Sequence, residues 1–194
     1  MDTLEPDQTP RLVLLFSGHM IDAPDRAVPR FPADKEPNAH SAIVGVLDEL
    51  KAGPGDIALC GGACGGDLLF AEAALARGTA LELYLPFDEA TFVVKSVDFA
   101  GGNWHARYDS ARAASTLHVL PQERGPLPPS ANPYELNNLW MLEAASRFGT
   151  EKLHFICLWD GQGGDGPGGT QHLMQEVQRA HGHTHWLATT RLWK

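Results

Sequence analysis

The five residues Leu12 to Phe16, Leu-Val-Leu-Leu-Phe, are apolar at every position. A strand with one wet face alternates apolar and polar residues. A run without alternation needs cover on both faces, as a central strand of a parallel sheet has between two helical layers. Further short apolar runs follow at "DIALC" (56–60), "ALELYLPF" (80–87), "TLHVLP" (116–121), "KLHFICLWD" (152–160) and "HTHWLAT" (183–189). Between them lie stretches with helical spacing, punctuated by glycine or proline: 38–50, 67–78, two short ones at 88–97 and 103–114 joined by Gly101-Gly102, 133–149, and a last one from near Thr170. This alternation predicts an α/β fold with a mostly parallel sheet of five to six strands. Within the helices, Ile43, Val46, Leu47 and Leu50 share one face, and Leu68, Ala71 and Leu75 share another, with Gly78 closing the second helix.

At 194 residues and 43% hydrophobic, the chain has material for one core, so 11–194 is expected to be a single domain. The opening MDTLEPDQTP (1–10) is acidic and polar, without the basic and apolar regions of a secretory signal, and is expected to be a disordered lead-in. No apolar run approaches the ~18 residues that span a bilayer. A net charge of -9 argues against a dedicated nucleic-acid surface, where lysine and arginine cluster to neutralise phosphates. Three cysteines, Cys60, Cys64 and Cys157, form no disulfide framework, which points to free thiols and a cytoplasmic setting.

Two glycine-rich stretches, "GGACGGDLL" (61–69) and "GQGGDGPGG" (161–169), each follow a strand pattern and precede a helix pattern. At a helix N-terminus several N–H groups lack partners and the dipole favours anions, and glycine lets a phosphate approach the backbone. The same glycines also suit a plain tight turn. Neither stretch ends in the Gly-Lys-Ser/Thr of a P-loop, and neither is a regular G-x-G-x-x-G. Two long polar loops, "HMIDAPDRAVPRFP" (19–32) and "QERGPLPPSANP" (122–133), have the length of ligand-covering segments.

The pattern Gly61-x-Ala63-x-Gly65-x-Asp67, followed by an alanine-rich helix, a glycine and an apolar strand, resembles the central motif of the SLOG superfamily. That group of Rossmann-like domains includes the DNA-processing protein A family and the LOG-type phosphoribohydrolases. "FSGHM" (16–20), "NLWM" (138–141) and "GPGGTQHL" (166–173) match further family segments in the expected order, so the likeness runs from about Arg11 to Leu187. It implies a Rossmann-like three-layer sandwich with strand order 3-2-1-4-5 and a nucleotide or nucleotide-derived ligand. By position, Ser17, Gly18 and His19 would border that ligand, and Gly61, Gly62, Ala63, Gly65, Gly66 and Asp67 would form a phosphate or ribose cradle. Asn138 would supply an amide, and Gly168, Gly169 and Thr170 would close the far side. Family members often dimerise through helices flanking the sheet, so a homodimer is compatible with the likeness.

One departure matters. LOG-type hydrolases carry a glutamate three residues after their Gly-Thr, for cleavage of an N-glycosidic bond, and this chain has Leu173 there. Glu72 and Glu176 are the candidate replacements, and either has the alternative of a solvated helix residue. A binding domain, a sensor or regulatory module, is therefore the leading expectation, ahead of a nucleosidase or phosphoribohydrolase and of an interaction domain with a vestigial site.

Other residues carry two readings each. Cys60 and Cys64 with His181, His183 and His185 have a donor set suited to zinc, or are a small buried hydrophobe and a polar turn. No metal ligand is expected, and no cofactor is certain. Cys64 at a helix start suits a nucleophile, although no local His/Asp partner accompanies it. Trp104, Arg107 and Tyr108 suit a lid that stacks a base and pairs a phosphate, or an amphipathic helix with its aromatics in the core. Tyr134 has the same two readings. Asp160, at the end of a strand, is placed to face a ligand crevice.

Overall fold

The structure, a computed structural model, describes residues 9–163 and 169–194. Six strands, β1 (Val13–Gly18), β2 (Ile57–Cys60), β3 (Ala80–Leu85), β4 (Ser115–Val119), β5 (Leu153–Trp159) and β6 (His183–Ala188), form one sheet in which every pair is parallel. Helices α1 (Glu36–Glu49), α2 (Gly66–Leu75), α3 (Glu89–Ser96) and α4 (Trp104–Ala113) cover one face. The short α5 (Leu120–Arg124), α6 (Pro133–Ser146) and α7 (Thr170–Arg179) cover the other, and α8 (Thr189–Leu192) ends the chain beside α1. This is a Rossmann-like three-layer sandwich.

The strand order is β4-β3-β2-β1-β5-β6, not 3-2-1-4-5. The chain steps outward from β1 through β2 and β3 and adds β4 beyond β3. It crosses to the other side of β1 only through α6, so the fifth strand takes the place expected of the fourth. Side-chain chemistry fits this arrangement. β1 lies between β2 and β5, and Val13, Leu14, Leu15 and Phe16 are fully buried. The most polar strands, β4 with Ser115, Thr116 and His118 and β6 with His183, Thr184 and His185, form the two edges.

Helix α2 differs from its expected single stripe. Besides Leu68 and Ala71, the side chains of Leu69, Phe70, Ala73 and Ala74 are buried, because α1 and α4 flank α2 on the same sheet face. It closes at Gly78, whose N–H donates to Leu75 O while that of Thr79 donates to Ala74 O. The loop expected from 122 begins later, since Leu120–Arg124 is helical. Of the lead-in expected over 1–10, residues 1–8 lie outside the described residues. Pro10 is buried and the N–H of Arg11 donates to Gly55 O.

Asp56, fully buried just before β2, accepts hydrogen bonds from the N–H groups of Leu12 and Gly53 (3.0 and 2.9 Å) and from Arg11 Nη2 (2.5 Å). It therefore joins the start of β1 to the start of β2. Asp56→Ala strands two buried donors and a guanidinium, and is expected to lower the unfolding free energy by about 3 kcal/mol in urea denaturation. A loss below about 1 kcal/mol would show that water replaces the carboxylate there. Among the described residues, no helix is long and apolar enough to cross a membrane.

Candidate functional site

Beyond β1 the chain runs across the start of α2. Met20 and Gly65 form an antiparallel bridge, Ile21 N–H donates to Cys64 O (3.2 Å), and Gly66 N–H donates to His19 O (3.0 Å). A Cβ on Gly65 would stand 2.6 Å from Ile21 N and 3.0 Å from His19 O, and its φ of +100° is one that L side chains rarely adopt. Gly65 and Gly66 thus let two loops touch. One of the helix-terminal N–H groups expected to greet a phosphate is already given to His19.

A second N–H of the cradle is also engaged. The Asp67 carboxyl turns back from the first turn of α2 to accept from the amide of Ala63 (3.3 Å), and it lies against the backbone at Gly61 and Gly18. Gly61 is small because of this contact: a Cβ there would lie 2.8 Å from Asp67 Oδ2. The chain's own anion therefore fills the nest between the ends of β1 and β2. Burial pushes the Asp67 carboxyl up to about 7, against the opposing pull of the backbone at those three residues.

Asp67 borders a cleft of about 170 Å³ at the carboxyl edge of the sheet. Its floor comes from Phe16, Ser17, Gly18, Gly61 and Ala63, and Met20, Pro86 and Phe92 form one side. The facing wall is a stripe of α6 at helical spacing: Tyr134, Asn137, Asn138 and Met141. Asn137 is 3% exposed. Its Nδ2 donates to Tyr84 O (2.8 Å), which fixes the amide's orientation, and its Oδ1 has no hydrogen-bond partner. The Tyr134 ring is half exposed, with its hydroxyl 3.3 Å from Ser96 Oγ and its ring edge-on to Phe87.

Beside the cleft, His19 Nε2 accepts from the N–H of Asp160 (3.1 Å) and lies 3.3 Å from Asp160 Oδ1. Burial lowers the pKa of His19, and Asp160 offsets this only in part. Arg30 reaches Asp160 from the long loop (3.6 Å), which Asp22 folds by accepting the N–H groups of Arg30 and Phe31. Trp193 secures the same loop by stacking on Phe31 and donating to Arg30 O.

The expected site residues thus divide. Ser17, Gly18, Gly61, Ala63, Asp67 and Asn138 border the cleft, and His19 and Asp160 form the adjoining pair. Gly62, with Leu83 and Tyr108 beside it, and Gly65 and Gly66 shape the loop junction. Gly169 and Thr170 start α7, which packs on β5 and β6, and they are not among the cleft's lining residues. Gly168 lies outside the described residues. Leu173, where a hydrolase's glutamate would stand, is fully buried in the core beside Val177.

Trp104 and Tyr108 are buried in the core. Arg107 lies over the Trp104 ring, grips Glu72 through two 2.6 Å hydrogen bonds and reaches Glu36 at 2.6 Å. Glu72 is thereby engaged in an ion pair. Glu176 pairs with Arg179 and lies 3.6 Å from His172. Arg107→Ala is expected to destabilise the fold by about 2 kcal/mol, discounted because Glu72 and Glu36 are 34% and 35% exposed. Ligand affinity is expected to be unchanged by calorimetry; a large loss of affinity would restore Arg107 to the site.

The cysteines are free and buried, and burial pushes the thiols of Cys64 and Cys157 up to about 12 and that of Cys60 well above its ordinary value. For Cys64, burial outweighs any help from the helix start, leaving the protonated thiol. The cysteine and histidine halves of the zinc reading do not meet, because β1 and β5 stand between β2 and β6. His183 and His185 stack instead on His154.

Asn137 and Phe92 were not expected at the site, and Met20 and Met141 entered only as the last residues of the segments 16–20 and 138–141. The stripe 134, 137, 138, 141 was the available signal, but an asparagine between Leu136 and Asn138 reads as readily as a core-facing position or a surface one.

No protein-family profile matches the chain, and no curated protein matches it. Among solved structures, the chain is similar to DNA processing protein A from Streptococcus pneumoniae, with 11% identity, a TM-score of 0.48, and coverage of 90% of this chain and 50% of that one. It is also similar to the Moco carrier protein from Chlamydomonas reinhardtii, with 15% identity, a TM-score of 0.33, and coverage of 94% and 98%. The chain spans half the length of the first. The site's own geometry carries the functional reading.

Proposed function

We propose that this chain binds a small nucleotide-derived molecule in the cleft between the β1 and β2 loops and α6, as a sensor or regulatory domain. The observation that carries the reading is the meeting of the Asp67 carboxyl and the unpartnered Asn137 Oδ1 at one apolar-walled cleft, at the sheet edge where open α/β folds take their ligands. Nucleic acid fits poorly with a net charge of -9 and a cleft in which Asp67 is the one charged residue among the described lining residues.

A thermal-shift and calorimetric panel of nucleobases, nucleosides and nucleotides tests this. A ligand at one hundred times its Kd is expected to add about 2.7 kcal/mol of stability, a rise in Tm of about 5–10 °C for a chain this size. A panel with no shift would contradict the reading.

One observation supports a second reading, hydrolysis of an N-glycosidic bond. The Asp67 carboxyl near pH 7 borders the cleft, poised as an acid, whereas Glu72 and Glu176 are held in ion pairs elsewhere. Release of free base by the wild type, unaffected by E72Q and E176Q and lost in D67N, would establish it. Binding without release would leave the sensor.

A further inference from the structure

Resting on the proposed function, we infer that the cleft takes the unphosphorylated form of its ligand, a nucleobase or nucleoside that donates hydrogen bonds to Asp67 and Asn137, rather than a nucleoside phosphate. Four observations converge on this.

Two of the backbone donors that would cradle a phosphate are already engaged, the N–H of Ala63 by the Asp67 carboxyl and that of Gly66 by His19 O, and the same carboxyl lies against the backbone at Gly61 and Gly18. A phosphate arriving there would have to displace the Asp67 carboxyl, and above about pH 7 it would also meet a like charge. The second polar group is likewise an acceptor. Asn137 Oδ1 is held in place because the Nδ2 of the same amide is spent on Tyr84 O, and a buried acceptor without a partner costs free energy that a ligand N–H or O–H recovers.

Counter-charge is absent from the lining. The described residues that border the cleft include no lysine, arginine or histidine, and the arginines of the region are engaged: Arg30 with Asp160, Arg26 with Asp22, Arg107 with Glu72 and Glu36. A phosphate bound without a cation pays its desolvation with little return.

The remaining surface suits a flat heterocycle. Phe16, Phe92, Met20, Met141 and Tyr134 supply apolar and aromatic walls, and about 170 Å³ is small beside the ~300–1,000 Å³ of drug-sized pockets. A base fits such a space with its ribose towards the mouth. Two acceptors on the lining of one cleft, the Asp67 carboxyl and Asn137 Oδ1, are matched by the exocyclic amino groups of adenine, guanine and cytosine and by the N1–H of guanine.

The test uses the wild-type chain and needs no variant to fold. Isothermal titration with adenine, adenosine, guanine, guanosine, cytosine and cytidine is compared with the corresponding 5′-monophosphates, and the tightest nucleoside is re-titrated in millimolar inorganic phosphate. At least one base or nucleoside is expected to bind at least ten-fold more tightly than its monophosphate, with inorganic phosphate leaving its affinity unchanged. Asn137→Leu, checked for an intact fold by circular dichroism, is expected to weaken that ligand about ten-fold. A monophosphate that binds as tightly as its nucleoside, or competition by inorganic phosphate, overturns the inference while the proposed function stands. If no base, nucleoside or monophosphate binds, both fall.

Discussion

Gly65→Ala is expected to destabilise the fold by about 3 kcal/mol, lowering Tm by about 6–12 °C. Two effects act together. Gly65 has φ +100° and ψ -127°, a backbone region that is essentially glycine's own, where a side chain costs about 1–3 kcal/mol. The new methyl group would also sit 2.6 Å from Ile21 N and 3.0 Å from Met20 C, which are backbone atoms that move only with the loop. Separating them breaks the bridge to Met20 and the hydrogen bonds that hold the β1 loop on α2. Gly45→Ala in α1 is the matched control. Its Cβ meets nothing within 4 Å, so it is expected to stabilise by about 0.5–1 kcal/mol through helix propensity. Urea denaturation of the two variants reads both signs; equal and small effects would show that the loop junction carries no strain. A Gly65→Val variant is accordingly a test of folding before it is a test of binding.

The second large effect is a pH dependence carried by Asp67. Its carboxyl lies near 7 in the fold and near 3.8 in the unfolded chain, so between those values the folded state holds the proton more firmly. Stability from this group is full below about pH 4, falls as the pH rises to 7, and is then level, with a total of up to about 4 kcal/mol. Three histidines act in the opposite direction. Burial lowers the pKa of His19 and His185, and that of His154 to about 4, so the unfolded chain binds their protons more readily below the ordinary histidine range. Their contribution grows as the pH rises through 4 to 6.5 and partly hides that of Asp67. The difference between wild type and Asp67→Asn isolates the carboxyl. The variant is expected to match the wild type near pH 4 and to exceed it at pH 8, by chemical denaturation at each pH. A difference that does not change with pH would mean that Asp67 ionises as a solvated carboxylate.

Apolar continuity made the centre of the sheet legible, because Leu12 to Phe16 and Ile57 to Cys60 have no wet face to offer. The edges were not legible: the expected order 3-2-1-4-5 put the fourth strand inside the sheet, whereas β4 and β6 are the edges, because the place of each depends on where the chain crosses over, a property of packing between distant helices. The glycine loop was located correctly, whereas the use of its glycines depended on a segment some 45 residues earlier, the His19–Ile21 backbone that presses on Gly65. Asp67 looked like part of a cradle for a ligand's anion; in the structure its own carboxyl turns into the cradle and accepts the N–H of Ala63. Arg107 and Glu72, 35 residues apart, each looked available until the fold paired them. Leu173 was read as a missing acid, and its complete burial shows what replaced it, a core contact beneath α7.

The most direct test of the cleft as the binding site is a two-dimensional amide NMR titration of the ¹⁵N-labelled chain with the tightest-binding base or nucleoside. The account predicts shifts concentrated at the backbone amides of Gly18, Gly61, Ala63 and Asp67 and at the side-chain amide of Asn137. Shifts centred on Gly169 and Thr170, or on Trp104 to Tyr108, with those cleft signals unmoved, would contradict it.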